Sequence, residues 1–451
     1  MRFLLCTSQR TKGKKEVTDL RRRVTSGFFW VLIATIATQF GGLLEAIIPA
    51  RLLGIEDYGK LVAIQSTLIM LASFAGLGLG TTTARYVAQL RQTNPAQAGR
   101  VIGLCLLIIM SAAAIVTIGL ILFAPIISEV VFSNSTLTNE LRLGTIFLFF
   151  SILVTYQSGT LSGFEAFSRL AWAAVLQTIG TVALVVSLTS AWGLSGAIAA
   201  LGGGALLTWL LQEIALRREY RRWMICINFA EAGKETHILT GFALPAALSG
   251  MLGGIVTAGG NAILIRQVHG LADVAVFNVA NLIRSIALFV PSLLTRVTMP
   301  VLSNLYGLKQ RSSFQKTFGL TLLLSTGFAL ISAVGIFCLS PILLSLFGKS
   351  YSGNNTVLAL ALTSSIFEVL AVNLFQVLYS HGRIWSQLLI VVIWSVIILS
   401  MTWMLAPEMG ANSLALAYCV GWLVSCILYG ITAQRILKQD QTLLLVPAGT
   451  T

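Results

Sequence analysis

Twelve apolar stretches, each about as long as a bilayer is thick, constrain this chain more than any other feature. Their approximate limits are 27–49, 58–80, 101–123, 142–163, 169–190, 193–215, 238–264, 274–302, 317–340, 356–379, 385–405 and 412–433. Crossing ~30 Å of hydrocarbon takes about 20 residues of helix. Lipid offers backbone N–H and C=O groups no partner, so each run must satisfy its own as a helix. The alternating ten-residue strands of a transmembrane barrel are absent. Charged residues make up 10% of the 451, against about 25% in a soluble domain. The chain reads as an all-α integral membrane protein with about twelve transmembrane helices. Its first run follows MRFLLCTSQRTKGKKEVTDLRRR, extends over about 22 residues and lacks a convincing cleavage site. That is too long for a signal-peptide core, so it is expected to stay as the first span.

A net charge of +14 could suggest nucleic acid, but the cations lie in short segments between apolar runs rather than in one patch. With the N-terminus in the cytoplasm, the cytoplasmic segments hold 23 of the 30 lysines and arginines. This bias fits the positive-inside rule with an even number of spans and both termini cytoplasmic. No nucleic-acid partner is implied. The six cysteines have neither metal nor redox spacing, and no cofactor or metal is called for.

The chain also repeats itself at an offset of 216. Gly54 and Asp57 match Gly270 and Asp273; Gly103, Leu104, Leu106 and Leu107 match Gly319, Leu320, Leu322 and Leu323; Gly119, Pro125 and Ile126 match Gly335, Pro341 and Ile342. Six spans separate the copies, so both insert the same way up. Two six-helix lobes related by an axis along the membrane normal follow, with a cavity between them. The expected organisation is a basic cytoplasmic tail over 1–25, a first lobe over 26–215, a cytoplasmic linker over 216–237, a second lobe over 238–434 and a cytoplasmic tail over 435–451. Glycines at 76–80 and 202–204, with Pro291, are places where helices could bend.

Several stretches resemble the polysaccharide-export branch of the multidrug/oligosaccharidyl-lipid/polysaccharide (MOP) flippase superfamily. They are ARLLGIEDYGKLVAIQSTL and GLGLGTTTARYVAQ in the first half. In the second they are HGLADVAVFNVANLIRSIALFVPSLLTRVTMPVLSNLYG, LSPILLSLFGKSY and FQVLYSHGR. The resemblance covers most of residues 25–435. It implies a MATE-like fold, a place in the bacterial inner membrane, and no enzymatic activity. The implied activity is flipping a polyprenyl-diphosphate-linked oligosaccharide, an O-antigen or exopolysaccharide repeat unit, to the outer leaflet by alternating access. Besides that lipid-linked glycan and the bilayer, a polysaccharide polymerase and glycosyltransferases are candidate partners.

Candidate site residues are the polar ones that lipid would penalise. In the eighth run Asn278, Asn281, Arg284, Ser285, Ser292, Thr295 and Arg296 line one helical face. A charge at such depth costs several kcal/mol, roughly 2.5 or more on insertion scales. Arg284 could grip a substrate phosphate or acidic sugar with its planar fork; the structural alternative is a pair with an acid on another helix. Arg296 could do likewise, or snorkel to the surface. Glu368 could neutralise Arg284 or carry a coupling proton. Glu45, whose repeat counterpart Asn261 is also polar, could face the cavity. Lys60, Arg85 and Arg266 could line its mouths, although each is more often an interfacial anchor. Glu213 suits a cap or pair at the membrane edge.

At the repeat offset Arg284 falls on Leu68 and Glu368 on Ile152, so the charges are additions to one lobe. FGKSY lacks the first glycine of a P-loop, and GLGLG lacks the last of a dinucleotide fingerprint. Two rivals remain. A multidrug-type cation-coupled antiporter of the same superfamily would favour acids in its cavity. A membrane-embedded polysaccharide polymerase would need an active-site loop, and the outer segment 124–141 offers Glu129 and Glu140 but no histidine.

Overall fold

The structure, a computed structural model, describes residues 2–76, 78–132, 134–229, 244–307, 310–381 and 384–442. Thirteen α-helices run α1 (Arg2–Gly76), α2 (Leu79–Leu90), α3 (Pro95–Phe132), α4 (Thr138–Leu143), α5 (Thr145–Gly163), α6 (Phe167–Arg222), α7 (Leu244–Ile265), α8 (Gly270–Gly307), α9 (Arg311–Cys338), α10 (Ser340–Phe347), α11 (Asn355–Ser380), α12 (Ile384–Met409) and α13 (Ala411–Thr442). Nine helical segments among the described residues are long and apolar enough to cross a membrane, and Gly250–Ile265 of α7 forms a shorter apolar helix. The protein is a multi-pass, all-α membrane protein.

Two of those segments hold two spans each. A straight helix as long as α1 would run roughly 110 Å. It is broken at Gly54, whose φ of 77° and ψ of 178° are open to glycine alone. Both limbs of α1 then lie on α8: Gln39 reaches Ser285, while Gly59 sits on Leu271 at the start of that helix. Helix α6 turns back at Gly193 (φ 57°, ψ −131°), so that Gly204 packs on Thr181 and Gly180 on Leu207. With these two reversals and α7, every apolar run in the sequence has its helix.

The packing repeats as the sequence does. In the first half α5 packs on α2, α3 and α6, and α1 on α6. In the second, α11 packs on α8, α9 and α13, and α7 on α12. The halves meet chiefly where α1 lies against α7 and α8. Lipid leaves little hydrophobic drive between helices, so close fit must hold them, and small residues supply it. A Cβ on Gly159 would lie 2.0 Å from the Gly80 carbonyl oxygen, and one on Gly80 2.7 Å from that of Thr155. This tight crossing of α2 and α5 explains Gly80. The residues just before it form a bend: α1 ends at Gly76 and α2 begins after Gly78, at φ 63°. Gly202 and Gly204, by contrast, stay inside α6 and admit Ile146 and Thr181, and α8 continues through Pro291.

Helical structure extends further than the apolar runs. Helix α1 begins at Arg2, α6 reaches Arg222 and α13 reaches Thr442, so parts of both expected tails and of the linker are helical. After α6 the chain lies on α3: the Asn228 N–H donates to the Gly99 carbonyl at 3.4 Å. A Cβ on Gly99 would meet the Cys226 carbonyl at 2.1 Å. The rest of the linker, 230–237, and residues 443–451 lie outside the described residues.

Gly159→Val is expected to destabilise the protein by about 1–3 kcal/mol, the usual penalty of overpacking. Gly119→Val, with no atom within 4 Å of its Cβ, should be close to neutral. Thermal unfolding of the two variants in the same detergent checks the contrast.

Candidate functional site: a charged pair between two spans

Helices α8 and α11 bring Arg284 and Glu368 together. Helical spacing puts Asn281 one turn before Arg284 on the same face. The Asn281 Oδ1 accepts a hydrogen bond from Arg284 Nη1 at 2.9 Å, while Arg284 Nη2 pairs with Glu368 Oε2. The arginine side chain is 8% exposed and the glutamate 22%. The guanidinium carbon lies 6.0 Å from the ring centre of Tyr418 on α13, within cation–π range. Arg284 Nε has no hydrogen-bond partner among the described residues. Nε and Nη2 form one edge of the guanidinium, so Glu368 occupies only half of a two-pronged donor. The carboxylate borders a small pocket between the helices, with Pro291, Ser292 and Thr295 opposite it on α8 and Val372 beside it on α11.

Polar contacts continue in both directions. Asn278 Nδ2 donates to Asn261 Oδ1 on α7 at 3.2 Å. Gln39 Nε2, from the first half, donates to Ser285 Oγ at 2.6 Å. Beyond the pocket Thr298 donates to Gln376 Oε1 (3.0 Å), Gln376 to Asn373 Oδ1 (3.1 Å) and Asn373 to Ser325 Oγ (2.9 Å). The polar face of α8 is therefore shared among α7, α11 and α1. Sequence reasoning singled out Arg284, Glu368, Asn278 and Asn281. It did not find Gln39, Thr298 or Ser325, although Ser325 stands one turn after Thr321 in an otherwise apolar run.

The other candidates stand apart from the pair. Glu45 is half-buried on α1 and makes no hydrogen bond or ion pair with a described residue. Arg296 is exposed on α8, five residues past Pro291, and has no ion pair among the described residues. Lys60 bonds Asp57, three residues back, at 2.7 Å. Arg85 is exposed on α2, its guanidinium 5.9 Å from the ring centre of the adjacent Tyr86. Glu213 bridges Arg217 (2.9 Å) and Gln157 (3.0 Å), the edge pairing its position suggested.

In the first half, the repeat counterparts of the charged pair are Leu68 and Ile152, both completely buried in the apolar core. At matching positions one half thus carries two buried aliphatic side chains and the other an ion pair. Hydrophobic replacement of a buried ion pair is often neutral or stabilising.

This architecture is that of the MOP superfamily transporters. An inward-facing multidrug resistance MATE family transporter superposes with a TM-score of 0.72 at 16% identity, over 92% of this chain and 99% of the other. An outward-facing conformation of such a transporter gives 0.66 at 15% identity, over 92% and 97%. A MOP superfamily transporter from Pyrococcus furiosus gives 0.67 at 17% identity, over 92% and 95%; it is described as having a binding pocket of reverse polarity that suggests a different function. No curated protein sequence matches the chain. Residues 24–306 match the polysaccharide biosynthesis protein family, and the chain belongs to that family.

Removing one member of the pair should leave a buried charge unmatched and cost about 3–5 kcal/mol, whereas removing both should restore most of the loss. Glu368→Leu is therefore expected to unfold at a clearly lower temperature than the unchanged protein. The double variant Arg284→Leu/Glu368→Leu should recover. A double-mutant cycle on Tm in detergent reads the coupling.

Proposed function

We propose that this protein flips a polyprenyl-diphosphate-linked oligosaccharide across the bacterial inner membrane by alternating access, with both termini in the cytoplasm. The observation that carries the reading is the half-used guanidinium of Arg284 beside a carboxylate that borders a pocket. Membership of a polysaccharide biosynthesis family points the substrate chemistry in the same direction. A lipid-linked glycan carries its negative charge on the diphosphate, the group that hydrocarbon penalises most.

The arginine offers that anion what its resting partner does not use. Glu368 keeps the guanidinium neutralised between cycles. A phosphate oxygen bound at Nε and Nη2 together displaces the carboxylate and forms two charge-assisted hydrogen bonds in one plane. Glu368 then turns toward its pocket, where solvent or a proton compensates it. Asn278 and Asn281 continue the polar face that a glycan requires, and Arg296 and Arg85 lie where a charged headgroup arrives from the cytoplasm. Lys60 stands at the opposite end. Glu45, without a partner among the described residues, provides a hydrogen-bond acceptor for sugar hydroxyls. The lipid tail stays in the bilayer throughout. The sequence has no P-loop, so the driving force is an ion gradient, the membrane potential or consumption of the flipped product.

Export of lipid-linked glycan in cells should fall roughly ten- to hundredfold in Arg284→Gln, the loss expected for a hydrogen-bonded charge. Arg284→Lys should keep part of the activity, because a point charge attracts phosphate without the fork. Membrane levels of each variant are measured alongside. Full export in Arg284→Gln at normal levels would remove the arginine from the path. Uptake of organic cations in place of glycan export would favour the antiporter.

A further inference from the structure

Two arginines outside this path form a matched pair of contacts between the halves. Arg51 ends the first limb of α1, and its Nε donates to the Leu346 carbonyl at 2.5 Å, with Nη2 3.5 Å from that of Ser345. Both acceptors lie in the last turn of α10, in the second half. Arg266 follows α7 directly, and its Nη2 donates to the Val130 carbonyl at 2.9 Å. Val130 lies in the last turn of α3, in the first half. Each half thus lends the arginine at the end of its first span to a helix terminus of the other.

The symmetry is close. Leu346 and Val130 are separated by 216 residues, the offset of the internal repeat, and Arg266 is one position short of the counterpart of Arg51. Final-turn carbonyls have no partner within their own helix and carry the negative end of its dipole, so a cation is the fitting cap. A close approach between the halves lies shortly past both arginines in the chain. There a Cβ on Gly59 would lie 2.0 Å from the Leu271 carbonyl oxygen, and Tyr58 meets Tyr351 edge to face with ring centres 6.4 Å apart.

We propose that Arg51 and Arg266 are a reciprocal latch, two cross-caps that hold the halves together at the end of the bundle remote from the basic segments and must release for that end to open. The inference goes beyond the transport reading and concerns the state of the protein rather than its substrate. Dipole capping is a modest interaction, which suits a latch that must open in each cycle. Removing each arginine should raise the open population roughly two- to fivefold. Helix dipole contacts weaken in salt at exposed sites, so the latch should loosen as ionic strength rises.

Spin labels at exposed Ser135 and Ser352, one in each half, report the separation across this end by pulsed electron resonance. The protein is full-length, free of native cysteines and held in lipid nanodiscs. A second label pair within the first half, Ser135→Cys with Ser190→Cys, confirms that each variant stays folded. The parent should give a single short distance. Arg51→Ala/Arg266→Ala should add a longer-distance population, and Arg51→Lys/Arg266→Lys should add much less, because lysine still caps a helix end. Gly59→Leu, which forces the seam apart sterically, marks the open distance. A double-alanine distribution that superimposes on the parent's overturns the latch. The readout requires no glycan, so that outcome leaves the role assigned to Arg284 standing.

Discussion

Hydrocarbon gives a charged group nothing to bond with, and the arrangement of α7, α8, α11 and α13 around Arg284 answers that constraint. The guanidinium meets a carboxylate from α11, an amide from its own helix and an aromatic ring from α13. Polar contacts then extend along α8 in both directions, to Asn261 on α7 and to Gln376 on α11. In water such a network would add little. Within a membrane it sets which faces of these helices can meet, because a rotated helix would present the charge to lipid.

The internal repeat supplies a control that most proteins lack. Leu68 and Ile152 occupy the first-half counterparts of the two charges and are fully buried, so the same packing closes without ionisable groups. The proposed function gives Arg284 and Glu368 a reason beyond packing, and Nε, which has no hydrogen-bond partner among the described residues, is the donor it assigns to substrate. The arginines at the ends of the first and seventh spans follow the opposite pattern. Arg51 and Arg266 sit at nearly matching places and make matching contacts across the halves. In the proposed cycle the contacts common to both halves serve the frame, and the charges confined to one half serve the substrate.

Much of this was legible in the sequence because lipid makes local rules strict. Membrane-length runs and a fixed offset of 216 mark the spans and the doubling without reference to any distant contact. The intramembrane charges drew attention for the same reason. The Arg284–Glu368 pair could be named as an alternative because so few acids lie within spans. Contacts between amides, hydroxyls and carbonyls were hidden. Gln39 with Ser285, Ser325 with Asn373 and Arg51 with the Leu346 carbonyl join residues far apart in the chain. Their acceptors carry no residue-type signal, least of all a backbone carbonyl. The reversals at Gly54 and Gly193 were visible only as glycines between runs. That α2 and α5 cross on Gly80 and Gly159 required the helices to be placed first.

Reconstitution tests the central claim most directly. Purified protein is incorporated into vesicles that hold a polyprenyl-diphosphate-linked oligosaccharide in both leaflets, and a membrane-impermeant glycosidase is added outside. Vesicles with the protein are expected to expose nearly all the glycan to the enzyme, whereas protein-free vesicles expose only the outer-leaflet share. Identical accessible fractions in the two preparations, from protein shown to be folded and inserted, would contradict that claim.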